Sequence, residues 1–154
     1  MRTRINVIAA LITLTLVGIA VPLATASPAN DDRLMIGIQL TFHSSTHATG
    51  SFASCCAVND HGSAEASILS FKPTTGDQAT FKATNTYTGQ NGTFKVLLKG
   101  VTGPLTSKRH IARAHWTVIS GTGAYANLRG KGRLTALTDD TNGSLTAIAN
   151  GNAH

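Results

Sequence analysis

The six residues Gly121-Thr122-Gly123-Ala124-Tyr125-Ala126 have the spacing G-x-G-x-x-A. Between a parallel strand and a helix, that spacing lets backbone N–H groups and a helix N-terminus hold a dinucleotide pyrophosphate. A strand is expected at Trp116 to Ser120, but the helix is not. Gly130 and Gly132 fall where its body would run, each costing about 1 kcal/mol relative to alanine. Asp139 and Asp140 lie near the offset of a ribose-binding acid, yet inside a turn cluster. The glycines read better as a bend. Gly121 and Gly123 turn the chain, Tyr125 and Leu128 pack back as a plug, and Gly130 and Gly132 share one face of a strand. Missing side chains on that face admit a sharp bend or a close backbone approach. Arg129, Lys131 and Arg133 then line the opposite face.

Other residue types capable of chemistry are few. Cys55 and Cys56 are adjacent and are the only cysteines. In a strand their side chains point to opposite faces, so a vicinal disulfide requires a turn or distorted peptide at that point. Two free thiols, a vicinal disulfide and intermolecular pairing all stay open. With His61 they offer three zinc-type donors, but the spacing fits no standard site. His43 and His47 have the i, i+4 spacing of a helical metal pair. In a strand they would sit about 13 Å apart, so no metal is expected. Serines are plentiful, but none sits in a G-x-S-x-G elbow. Glu65 is the only glutamate and the one weak catalytic candidate. It enters a cavity only if its strand is flipped from the assignment below. Asn85 and Tyr87 continue an otherwise apolar face, and such groups orient ligands in apolar pockets. With Trp116 and Tyr125 they are the candidate ligand contacts; a core role is the alternative for Trp116, and a hydrogen-bonded rim role for Asn85 and Tyr87.

Period-2 alternation shows which elements must position these residues. Leu34, Ile36, Ile38 and Leu40 fall on one face, as do Ala64, Ala66 and Ile68. Phe81, Ala83, Asn85 and Tyr87 form a third set; Phe94, Val96 and Leu98 a fourth; Ala112, Ala114, Trp116 and Val118 a fifth; Leu134 and Ala136 a sixth. Ser144 to Ala149 is a weaker strand, and residues 149–154 read as a frayed tail. Turn signals separate the runs at Asn59–Gly62, Lys72–Asp77, Thr88–Gly92, Gly103-Pro104 and Asp139–Gly143. One apolar face per strand, with no helix to cover a sheet, implies an all-β antiparallel sandwich or barrel that closes on itself.

The N-terminus reads as a secretory signal peptide: Arg2 and Arg4, an apolar run from Val7 to Val21, and Ala24-Thr25-Ala26 before Ser27. Segment 1–26 is expected to be removed, leaving residues 27–154 as a single exported domain with no membrane insertion. Without Arg2 and Arg4, 11 basic residues stand against 7 acidic ones, a net charge of +4. The basic residues group as Lys108-Arg109-His110 with Arg113, and as Arg129, Lys131 and Arg133. Aromatics do not interleave with them, so nucleic-acid binding is not expected. A solvated face, or weak attachment to an acidic cell surface, fits better.

The run His115-Trp116-Thr117-Val118-Ile119-Ser120-Gly121-Thr122-Gly123-Ala124-Tyr125-Ala126-Asn127-Leu128-Arg129-Gly130-Lys131-Gly132 resembles the signature of the allene oxide cyclase barrel-like group, which includes dirigent proteins and secreted bacterial proteins. The Asn91-Gly92-Thr93-Phe94 hairpin matches too. The resemblance covers Phe81 to Leu137 well and Leu34 to Phe71 only loosely. It implies one antiparallel barrel of about eight strands with a calycin-like cavity for an apolar or aromatic ligand. It assigns no catalytic residue, and Cys55-Cys56 departs from the small residue expected there. The expected function is cofactor-free binding of a small apolar ligand. The alternatives are a cofactor-free cyclase, isomerase or stereo-directing protein, and a ligand-free structural or cell-surface protein. Homo-oligomerisation is compatible with any of them.

Overall fold

The computed structural model describes residues 32–154; the expected signal segment and its cleavage site lie outside them. Eight strands follow one another: β1 (Arg33–Phe42), β2 (His47–Cys56), β3 (Asp60–Pro73), β4 (Ala79–Gly89), β5 (Thr93–Thr106), β6 (Arg109–Gly121), β7 (Gly130–Asp139) and β8 (Ser144–Ala153). Each pairs antiparallel with the next, and β8 returns to β1 from Arg33↔Asn152 to Thr41↔Ser144, closing the barrel. Among the described residues the only helical element is one 3-10 turn, Gly123–Tyr125. The glycine run is therefore a bend between β6 and β7, and no helix stands behind it to hold a pyrophosphate.

The six alternating sets all face inward, and their apolar members are buried or half-buried. Two strand readings need correction. Between residues 47 and 56 a full strand forms that alternation does not reveal. Its inward positions are Ala48, Gly50, Phe52 and Ser54, too small and polar to mark a period. The tail read as frayed is the second half of β8, where Ala149 and Ala153 are buried. His154 and Arg129 exchange backbone hydrogen bonds of 2.9 and 2.8 Å, which pins that end. Gly103-Pro104, read as a turn, lies inside β5. A register shift at Leu105 accommodates it, and the turn falls at Ser107-Lys108.

Side-chain size divides the interior into two halves. Near the ends of β2, β4 and β6, large rings fill the barrel. Tyr87 and Phe94 lie 4.9 Å apart, Phe52 and Tyr87 5.1 Å, and Phe94 and Tyr125 5.4 Å in an edge-on contact. Pairs of this kind contribute about 0.5–1.5 kcal/mol each beyond area burial. Trp116 sits beside them with its Nε1 donating to the Asn150 carbonyl at 3.2 Å. It lies over Gly132 and Gly151, which are register partners on β7 and β8. Toward the opposite end the inward positions are alanines, and the interior is hollow.

Candidate functional site

The hollow half is a cavity of about 270 Å³ that opens at the end formed by the β1–β2, β3–β4, β5–β6 and β7–β8 turns. Its wall exists because inward positions on five strands, β3, β4, β6, β7 and β8, carry alanine: Ala66, Ala83, Ala112, Ala136 and Ala147 line it. Leu40, Leu98 and Leu134 complete the deeper wall, and Phe42, Phe71 and Phe81 frame the mouth. Phe71 faces in because of a local irregularity. Leu69 is the extra residue of a β-bulge between Ile68 and Ser70, so the inward parity changes from even to odd positions. Phe71 is 56% exposed and Leu69 54%, leaving an apolar lip at the opening.

Polar groups inside are few and placed at two depths. Asn85 sits at the floor, 5% exposed, with its Nδ2 donating to the Tyr87 hydroxyl at 3.1 Å. That is its one side-chain hydrogen bond among the described residues. No sealed side-chain polar atom there lacks a partner, so the Asn85 carbonyl oxygen opens on the cavity. Burial pushes the Tyr87 phenol far above its ordinary value, with the Asn85 bond opposing, so it stays a neutral support beneath the amide. At the mouth, His110 lines the cavity, and its Nε2 lies 2.9 Å from Asp140 Oδ2 in the β7–β8 turn. Thr102 and Thr138 supply hydroxyls near it.

The sequence candidates separate accordingly. Asn85 lines the cavity. Tyr87, Trp116 and Tyr125 are buried in the packed half and do not reach it. Glu65 points outward, 57% exposed at the side chain, with the His47 ring 3.7 Å away. It has no path to the interior, so the flipped-strand arrangement does not occur. His110 leaves the basic cluster to which sequence proximity assigned it, because even-numbered β6 positions face inward. His43 and His47 are closer than a continuous strand would place them. They flank the β1–β2 turn with ring centroids 6.1 Å apart. Cys55 and Cys56 end β2 with their sulfurs 2.7 Å apart, and Cys56 has the distorted backbone such an approach needs, at φ +80°. No group of three metal-donor side chains comes together among the described residues.

Sequence reasoning missed Asp60 altogether, having placed it in a turn. It opens β3 at the sealed end and is 5% exposed. Its carboxylate accepts from the backbone N–H of His61 (2.8 Å), Gln90 (3.0 Å) and Asn91 (3.1 Å), and from the Tyr125 hydroxyl (2.8 Å). Desolvation pulls its pKa upward. The Asn91 N–H, the Tyr125 hydroxyl and the other two amides outweigh that and hold it far below the ordinary 3.8. Gly89 makes the room: a Cβ there would lie 2.2 Å from Asp60 Oδ2. Asp60 thus ties the β4–β5 hairpin and the 3-10 turn across the bottom of the barrel, which closes the far end of the cavity.

No family model matches the chain, and neither the curated proteins nor the solved structures contain a match to it. The resemblance to the allene oxide cyclase group rests on the motif alone.

Proposed function

We propose that this is an exported binding protein that holds one small, mainly apolar molecule in the open half of the barrel. The observation that carries the reading is a one-ended, alanine-walled cavity with a single open amide at its floor. The volume of about 270 Å³ lies just below the usual range for small-molecule pockets, which limits the occupant to a small molecule. The ligand inferred is an aliphatic or aromatic body with one hydroxyl or carbonyl group that meets Asn85. The motif resemblance to a group of barrel proteins with apolar cavities agrees with this.

Native mass spectrometry of the protein from its producing cells tests the reading: a stoichiometric bound small molecule is expected. Ala136→Phe places a ring into the cavity from β7. It is expected to lower affinity for that molecule at least about tenfold while melting stays close to wild type, because the new ring fills open space. A protein that carries nothing, with Ala136→Phe unchanged against a panel of apolar probes, would leave the ligand-free structural role standing instead.

One observation favours a second reading, a cofactor-free isomerase or cyclase. Among the described residues His110 is the only titratable side chain on the cavity wall, and Asp140 fixes its ring. A proton-transfer role needs such an oriented imidazole. Under that reading the wild type converts the bound molecule and His110→Gln abolishes the conversion; under the binding one neither protein converts it.

A further inference from the structure

The outer wall of the barrel carries a feature unrelated to the cavity. Register places Lys82 opposite Lys99, Lys99 opposite His115, and His115 opposite Arg133. Four bases from β4, β5, β6 and β7 therefore form one row across the strands, neighbours about 4.5–5.5 Å apart at Cβ. All four side chains are exposed. Arg113 flanks the row on one side and Lys131 on the other.

None of the six is ion-paired among the described residues. The ion pairs found there, His47–Glu65, Arg109–Asp139 and His110–Asp140, lie elsewhere. On the outward positions of β4 to β7 the only acid is Asp139, at the mouth, bonded to Arg109. Like charges directly opposite on neighbouring strands destabilise a sheet. A bound anion removes that repulsion, so the free protein favours occupancy of this row. A shallow depression lined by Arg113, His115 and Arg133 marks the same place on the wall.

We propose that this row binds a linear acidic polysaccharide. The wall is convex, so a thin chain can follow the row around the barrel, whereas a flat bilayer meets only part of it. Beside the row stand Leu97, Val101 and threonines, and the one exposed ring, His115, offers no run of aromatics on which successive nucleic-acid bases could stack. The exposed hydroxyls of Thr117 and Thr135 border the row and suit a sugar.

The test is a binding titration at low salt with a sulfated glycan (heparin), neutral dextran, a single-stranded oligonucleotide and anionic phospholipid vesicles. Heparin is expected to bind, dextran not to, and the affinity to fall steeply with added salt. The Lys99→Gln/Arg133→Gln double variant is expected to lose about tenfold or more. Lys72→Gln/Lys108→Gln removes the same charge away from the row and is expected to bind as wild type. Both pairs are exposed, and matched melting curves confirm the fold. Equal loss in the two double variants would overturn the proposal, since net charge alone would then explain binding. Tighter binding to the oligonucleotide or the vesicles than to heparin would overturn it too.

Discussion

Asp60→Asn lowers the melting temperature of the barrel by on the order of 10 °C at neutral pH. Four donors converge on one carboxylate, three of them backbone N–H groups from β3 and the β4–β5 hairpin. An amide offers a single oxygen in place of two, and its NH2 would face donors it cannot satisfy. Tyr125→Phe removes one of the four donors and gives a smaller fall. The pH dependence has a definite sign. The carboxyl is held below its ordinary value in the folded state, so the unfolded chain binds the proton more readily. Its contribution is complete above about pH 4 and declines as acid drives the pH toward the depressed folded value. Asp139 is likewise lowered, by the Thr141 hydroxyl and backbone N–H ahead of Arg109, and adds in the same direction. Wild type should therefore lose stability below about pH 4 more steeply than Asp60→Asn. Parallel acid profiles for the two, or equal melting temperatures at pH 7, would show that the four contacts do not hold the end closed.

The second large effect falls on a glycine. A Cβ at Gly132 would lie 2.0 Å from the Asn150 carbonyl oxygen and 2.7 Å from Trp116 Cε2. The first contact is with backbone and cannot be relieved by a rotamer change. Gly132→Ala is expected to destabilise by about 3 kcal/mol. Truncation of Trp116 to alanine costs about 3–5 kcal/mol through the cavity it leaves. The double variant should be less destabilised than the sum, because removing the indole relieves one of the two clashes. Urea unfolding of the four proteins measures the coupling. Strict additivity, or a Gly132→Ala protein as stable as wild type, would show that the indole does not depend on the bare backbone beneath it.

How far the residues alone disclosed this molecule depended on how each position carries its signal. Strands such as β1, β4 and β6 were readable because Leu34, Ile36, Tyr87 and Trp116 recur at every second position. The bend after β6 was readable because Gly130 and Gly132 weaken any helix placed there. β2 and the end of β8 were not, since Gly50, Ser54, Ala149 and Gly151 pack by being small, and smallness has no hydrophobic period. The site divides the same way. Asn85 stood out as a polar interruption of an apolar face. His110 and Asp140 are 30 positions apart and meet only because β6 and β7 are neighbours. Asp60 and Gly89 are complementary in shape, an acid filling the space a missing side chain leaves, and nothing local in either segment announces the other. The four-base row is a property of register, which single strands do not carry.

The seam between β1 and β8 has a practical consequence. The Ala153 N–H donates to the Asp32 carbonyl at 2.6 Å, so positions 32 and 154 sit side by side beneath the barrel, diametrically away from the mouth. A fluorophore or affinity handle fused after His154 would hang from the base and leave the mouth of the cavity unobstructed. A short linker could also stitch those two positions together, with fresh chain ends cut into the exposed segment 74–78. Such a rewired protein would keep every strand partner it has now.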